Sequence, residues 1–341
     1  MANFDYLVFI GRFQPFHQGH YQVVKTALQH AKKVIMVIGS TNSPRTIKNP
    51  FSFDERKQMI LSSFEPDESA RIACVGCADD IYNDHQWLIN VQNAIKSVTQ
   101  HEHAPTIGII GHDKDESSYY LQLFPQYAQF LVDNFQGLSA TPLRNAYFGD
   151  DVAAKTAIER HLTDASRAFL QAFAKTEHYQ RLQAEFAHIT QSKQAYANAP
   201  YPPSFITADA IVVQSGHILL IERDGDYGRG LYALPGGFVD NGETFLAAAI
   251  RELHEETALD IDGDTLKKYL KSSELFDEPK RSLRGRTVTV AHYFELPPTQ
   301  TLPQVTGQDD AKRAFWLPLS ELDARLMFED HHSIISKMLG V

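Results

Sequence analysis

Cysteine is scarce in this chain: Cys74 and Cys77 are the only two in 341 residues. A structural zinc site takes four ligands, and no second cysteine pair exists to complete one. The flanking Arg71-Ile72-Ala73 and Val75 read as a strand, so both cysteines are assigned to the core. Positive charge is also in deficit. Lys and Arg number 32 against 42 Asp and Glu, for a formal net charge of -10. That balance argues against a general nucleic-acid binder, which needs a basic field. It leaves nucleotide substrates open, because a phosphate site is built from a few local donors. Long apolar runs are missing too. No stretch approaches the roughly 20 residues that span a bilayer. The start, Met1-Ala2-Asn3-Phe4-Asp5, lacks the basic and apolar regions of a signal peptide. The expectation is a cytoplasmic protein with no membrane partner.

What is present is a soluble globular composition, 43% hydrophobic and 22% charged, on a chain long enough for two domains. Residues 6–11 are an apolar run ending in glycine. Val23, Val24, Ala27, Leu28 and Ala31 then recur at helical spacing, and residues 34–39 form a second apolar run. Strand, helix and strand with continuously apolar strands predict a parallel sheet, extended by residues 106–111. The N-terminal domain is therefore read as a Rossmann-like, doubly wound α/β fold over 1–150. Residues 152–196 contain no Gly or Pro and read as about two helices. Ala199-Pro200-Tyr201-Pro202-Pro203 is a stiff linker, which makes 151–199 a helical extension and linker. Strand-rich texture follows in a C-terminal domain over 200–341, interrupted by a helix near 244–257.

The first strand runs into Gly11-Arg12-Phe13-Gln14-Pro15-Phe16-His17-Gln18-Gly19-His20. Gly11 permits close approach of a ligand to backbone, and the helix opening at Gly19 favours phosphate. His17 and His20 are three apart and can share a helical face, which suits a polyphosphate. This segment resembles the H-x-G-H nucleotidyltransferases, and in its longer form the archaeal type of nicotinamide mononucleotide (NMN) adenylyltransferase. Ser139-Ala140-Thr141-Pro142-Leu143-Arg144 is similar to the S-x-T-x-x-R motif of that superfamily. The resemblance implies that Ser139, Thr141 and Arg144 hold the β- and γ-phosphates of ATP, with His17, His20 and Arg12 beside them. It extends to Phe13 within the first motif and to Lys48 in Lys48-Asn49-Pro50-Phe51, and it implies that Trp87 stacks on nicotinamide. Gly111 and Asp115, at the end of a central strand, would meet the adenine or ribose. Mg²⁺ is expected to bridge the substrate phosphates.

The C-terminal domain contains Gly237-Phe238-Val239-Asp240-Asn241-Gly242-Glu243, and after seven residues Arg251-Glu252-Leu253-His254-Glu255-Glu256. Glu252, Glu255 and Glu256 share one helix face, roughly 120° from an apolar stripe of Leu246, Ile250 and Leu253. Like charges at this spacing repel, and a divalent cation turns the repulsion into coordination. A solvated acidic face is the bland alternative, but it leaves the glycine loop unexplained. The stretch matches the Nudix box, G-x5-E-x7-R-E-U-x-E-E-x-G-U, except that its late glycine is Ala258 here. The match implies an α/β/α sandwich, Mg²⁺ or Mn²⁺ on Glu252, Glu255 and Glu256 with the Gly237 carbonyl as an extra ligand, and an Arg251–Glu243 pair. Arg281, Arg284 and Arg286 supply cations for a diphosphate or terminal phosphate. His101, His103, His331 and His332 match no metal spacing and are read as surface residues.

Both motif sets in this order resemble the bifunctional NMN adenylyltransferase/Nudix hydrolase family over essentially the whole chain. The resemblance implies synthesis of NAD from NMN and ATP, and hydrolysis of ADP-ribose to AMP and ribose 5-phosphate. A Nudix half acting on NADH or another dinucleotide, or serving as a ligand sensor, is the competing reading. A complete glutamate set favours a hydrolase over a sensor. The hydrolytic base is left open between a box glutamate and an acid from a distant loop such as Glu329. Oligomeric state is also open, with a homo-oligomer allowed.

Overall fold

The computed structural model describes residues 4–111, 121–133 and 135–340. The chain divides into two compact units, Met1–Phe186 and Ala187–Val341. In the first, β1 (Phe4–Gly11), α1 (Gln18–His30), β2 (Ala31–Ile38), α2 (Phe53–Leu61), α3 (Pro66–Ser69), β3 (Ile72–Gly76), α4 (Asp84–Thr99), β4 (Ile107–Gly111) and β5 (Ala128–Leu131) follow one another. The strands form one sheet in the order β3-β2-β1-β4-β5, and every neighbouring pair is parallel. Tyr6, Leu7, Val8 and Phe9 of β1 are all buried, because helices cover both faces. The order reverses between β1 and β4, so their C-terminal ends flank the switch point where such sheets bind ligands.

The first unit continues with α5 (Ala140–Phe148), α6 (Val152–Glu159), α7 (Asp164–Phe173) and the first half of α8 (Glu177–Ala195). The division between units falls inside α8. One expectation is corrected: Ala31 is not on the α1 stripe. It has extended backbone (φ -131°, ψ 155°) and starts β2, where sheet packing buries it.

The second unit contains β6 (Ser204–Gln214), β7 (His217–Arg223), β8 (Tyr232–Ala233), β9 (Gly236–Phe238), α9 (Phe245–Thr257), α10 (Gly263–Lys268), β10 (Leu270–Phe276), β11 (Arg286–Glu295), β12 (Ala311–Pro318) and α11 (His331–Leu339). Its mixed sheet runs β10-β11-β6-β7-β12, with β8 on β7 and β9 on β6; β6 and β11 are parallel and the other pairs antiparallel. The last eight residues of β6 are buried without alternation, so the sheet is covered on both faces. Ala248, Ala249, Ile250 and Leu253 of α9 pack on Ala208, Ala210, Val212 and Leu219. This seats the glutamate helix beside the Gly236–Phe238 strand.

Candidate active sites

In the first unit, the turn after β1 is shaped by packing of its own side chains. Phe13 takes a left-handed φ of +53° and folds back over Gly11, where a Cβ would lie 2.9 Å from its ring. Phe13 is 2% exposed and packs edge-on against Phe9 and His20. His17 is the N-cap of α1. Its Nδ1 accepts from the His20 amide and the His20 Nδ1 accepts from the His17 amide, each at 3.4 Å. The rings stack at 3.6 Å, and a side chain at Gly19 would meet the His17 ring at 3.1 Å. The H-x-G-H spacing is thus a reciprocal cap at a helix N-terminus, where backbone amides favour anions.

Arg144, on α5, reaches the same turn: its Nη1 donates to the Gln14 carbonyl at 2.7 Å and its Nη2 to Thr141 Oγ1 at 3.1 Å. Desolvation, then the nearby Arg12 charge, lowers its pKa to about 10. Arg12 is lowered by desolvation as well, opposed by Asp79. Fully buried Arg56 donates to the carbonyls of Arg12 (2.9 Å) and Gly39 (2.6 Å), and desolvation lowers it to about 10. The Arg12 charge thus lowers both Arg56 and Arg144, and three guanidinium groups of like charge lie around one turn. Ser139 caps α5 without a side-chain capping bond. Gly111 ends β4 and is buried. Lys48 lies half-buried in the loop between β2 and α2, and Trp87 on α4 packs near Phe124, 6.0 Å between centroids. Asp115 lies outside the described residues. Asp79 was not singled out from sequence, although it accepts from Ser40 and neighbours Arg12; an Asp-Asp pair after a strand was its only signal. A cavity of about 610 Å³ between α1 and β5 is lined by Val23, Thr26, Phe130 and Val132 among others, and by none of the residues assigned to substrate.

Cys77 is buried, Cys74 half-buried, neither is in a disulfide, and burial pushes both thiols up to about 12.

In the second unit, Arg251 organises the box. Its Nη2 meets Glu243 Oε1 at 2.7 Å and the Phe238 carbonyl at 3.0 Å, which ties the loop to α9. Its Nη1 also donates to Glu252 Oε1 (2.8 Å) and Glu255 Oε2 (2.9 Å). Glu256 is 4% exposed, accepts from the Gly236 amide at 2.9 Å, and is raised by desolvation to about 8. Glu252 is raised too, first by burial, with Glu255 adding repulsion. Glu255 is exposed. Asp209, in the middle of β6, was missed; an acid inside an apolar strand was its signal. It accepts from Thr289 Oγ1 at 2.6 Å, and burial raises it to about 6. Asp209 and Glu252 each raise Glu256 further.

The two glycines of the loop make room for these carboxylates. A Cβ at Gly236 would lie 2.4 Å from Asp209 Oδ1, and one at Gly237 would lie 2.5 Å from Glu252 Oε1. Among the described residues no three of His, Cys, Asp and Glu converge on one point as a ready cage. Arg251 engages two of the carboxylates. The donor set fits a divalent cation by charge: buried carboxylates destabilise one another, and their oxygens suit a hard, oxygen-preferring ion. Ala258 holds the box's late-glycine position in a left-handed conformation, φ +50°, as the C-cap of α9.

Arg281, Arg284 and Arg286, expected to supply cations for a phosphate, each face a carboxylate. Arg281 is buried in a two-point pair with Asp330, at 2.8 and 2.9 Å. Arg284 stands 3.9 Å from Glu329, and Arg286 engages Asp277. His331 is corrected from surface to interior: it is 6% exposed, and its Nδ1 accepts from the Leu234 amide at 2.9 Å, which satisfies that buried N–H. His101 and His103 are exposed.

Each half of the chain has known relatives. Residues 8–146 match the cytidylyltransferase-like family and residues 203–338 the NUDIX domain. A nicotinamide/nicotinic acid mononucleotide adenylyltransferase of Acinetobacter baylyi is 42% identical over 187 residues, 54% of this chain and 95% of that protein. An ADP-ribose pyrophosphatase of Methanocaldococcus jannaschii is 33% identical over 130 residues, 38% of this chain and 70% of that protein. The crystal structure of a bifunctional NMN adenylyltransferase/ADP ribose pyrophosphatase from Francisella tularensis, complexed with AMP and a manganese ion, superposes with a TM-score of 0.91. It is 35% identical and is covered, like this chain, over 99% of its length. With that identity over nearly its whole length, the chain belongs to the family of bifunctional NMN adenylyltransferase/ADP-ribose pyrophosphatase proteins.

Proposed function

We propose that the chain makes NAD from NMN and ATP in its first unit and hydrolyses ADP-ribose in its second. The observation that supports the pairing best is one continuous 35% identity to a bifunctional relative, joined to two separate charged sites. We assign the transferase to 1–150, a helical extension and linker to 151–199, and the hydrolase to 200–341. We place the protein in the cytoplasm; no helix among the described residues is long and apolar enough to cross a membrane.

In the transferase, the 5′-phosphate of NMN attacks the α-phosphorus of ATP and pyrophosphate leaves in line. The nucleophile is already ionised, so no base is needed, and catalysis consists of positioning and charge stabilisation. His17, His20, Arg12 and Arg144 meet the ATP phosphates, and Ser139 and Thr141 add hydroxyl donors. Trp87 takes the nicotinamide ring. In the hydrolase, Glu252, Glu255, Glu256 and the Gly237 carbonyl would hold Mg²⁺ or Mn²⁺. When bound, such an ion polarises the diphosphate and lowers the pKa of water. Arg251 pre-orients Glu252 and Glu255, and Gly236 orients Glu256.

The test incubates pure protein and Mg²⁺ with ADP-ribose, NADH or NAD and follows AMP by chromatography, with Glu256→Gln as control. Rapid AMP from ADP-ribose, lost in the variant, is expected. No AMP from any substrate, with Mn²⁺ also tried, would replace the hydrolase with a ligand sensor.

A further inference from the structure

Tyr227 lies in the loop after β7, outside every motif of the sequence. Its hydroxyl donates to Glu329 Oε1 at 2.7 Å. Arg284 Nη2 stands 3.9 Å from the other oxygen, Oε2, and the Glu329 side chain is only 5% exposed. Glu329 has a φ of +45°, a conformation that a non-glycine residue keeps only where its surroundings enforce it. Its segment is tied to the hydrolase site: the Phe328 amide donates to the Tyr232 carbonyl at 2.7 Å, the Leu234 amide to His331 Nδ1 at 2.9 Å, and the Gly236 amide to Glu256 at 2.9 Å.

Tyr227 is itself held from several sides. Its ring meets Phe328 edge-on at 5.1 Å, and Arg223 Nε donates to its carbonyl at 3.2 Å. The next residue, Gly228, has a φ of +74°, and a Cβ there would lie 2.4 Å from the Phe328 ring. Ile189, from the second half of α8, closes a buried cluster with Tyr227, Ile221, Ala233 and Phe328. Ile189 precedes the matched NUDIX segment, which begins at residue 203.

We propose that Tyr227 is a positioning residue of the hydrolase, whose hydroxyl fixes the Glu329 carboxylate for the hydrolytic step, with Ile189 of α8 as its buttress. The proposal rests on the hydrolase reading above. A water oxygen bonds to one phosphorus of ADP-ribose, and the bond from that phosphorus to the bridging oxygen breaks. The bridging oxygen leaves with the electron pair on the other phosphate. The water's proton passes to Glu329, whose Oε1 is engaged by Tyr227 and whose Oε2 takes it. A tyrosine hydroxyl on one oxygen selects one rotamer of a carboxylate that otherwise samples several. The working hydrolase therefore includes half of a helix that lies outside the domain match.

The experiment uses the full chain and measures kcat and KM for ADP-ribose, with NMN adenylylation as the folding control. Glu329→Gln should lower kcat by about 100-fold, the ordinary size of a lost proton acceptor. Tyr227→Phe keeps the ring and should lower kcat by about tenfold with KM within about twofold, as loss of one charge-assisted hydrogen bond predicts. Ile189→Ala should lower kcat in the same direction, and Ile189→Leu should restore it. Wild-type kcat in Tyr227→Phe beside an inactive Glu329→Gln overturns the positioning role alone. Wild-type kcat in Glu329→Gln overturns the proton acceptor and the proposal with it. Absence of hydrolysis by the wild-type chain, with adenylylation intact, overturns the hydrolase reading itself.

Discussion

The Glu252 carboxylate lies where a side chain at Gly237 would begin, 2.5 Å from the place of its Cβ. The carboxylate cannot yield freely, because Arg251 holds its Oε1 at 2.8 Å. Gly237→Ala should therefore displace Glu252 and cost about 1–3 kcal/mol, the usual range for overpacking. ADP-ribose hydrolysis should fall at least about tenfold while NMN adenylylation is unchanged. Two assays on one preparation check this, and equal loss of both would refute a local effect.

Ala258 is an alanine in a conformation suited to glycine, with φ +50°. Ala258→Gly removes the Cβ clash and should stabilise the second unit by about 1 kcal/mol. For a unit of this size that is a rise of roughly 2–4 °C in melting temperature. Calorimetry that finds no rise, or a fall, would show that the αL strain is already relieved by the αL cap bond from Ala258 to His254.

Glu256 is raised to about 8 by burial. Its native pKa lies above its unfolded value, so between about 4.5 and 8 the folded state binds more protons than the unfolded one. Metal-free stability then falls as pH rises through that window. Glu256→Gln, a neutral isostere, should raise the melting temperature in EDTA at pH 8.5 and leave it unchanged near pH 4.5. A divalent cation must displace the same proton, so stabilisation of the wild type by Mg²⁺ should grow with pH to about 8. Melting curves across pH that show no difference between the two proteins would contradict the buried charge.

Arg144 binds the Gln14 carbonyl and Thr141 in a site with two other guanidinium groups. Arg144→Ala should reduce kcat for adenylylation about 10²- to 10³-fold, as for loss of a preorganised donor. Hydrolysis should be untouched. A change in KM for ATP with constant kcat would assign Arg144 to ground-state binding instead.

The thiols of Cys74 and Cys77, both pushed up to about 12, should resist alkylation at pH 8 in the folded protein. Mass spectrometry before and after denaturation reads this directly. Rapid native labelling would place the thiols in a reactive setting.

Much of this was legible in the residues because it is local. Apolar runs in β1, β2 and β4 follow from burial on both sheet faces, and Glu252, Glu255 and Glu256 share a face by helical period alone. His17 to His20 and Ser139 to Arg144 are each a helix start with its cap. Ala31 was misread because its burial comes from a strand that follows the helix without a break. The rest depended on packing between distant segments. Asp209 reaches Glu256 because β9 pairs with β6, a contact no spacing reveals. Arg281 looks like a free cation in sequence, yet it is spent on Asp330, 49 residues away. His331 went inside because the Leu234 amide needed an acceptor. Short-range order, set by covalent spacing and backbone geometry, was determined by the sequence alone. Which charges are buried, paired or opposed was decided by the tertiary structure, since desolvation and Coulomb energy depend on neighbours that only folding assembles.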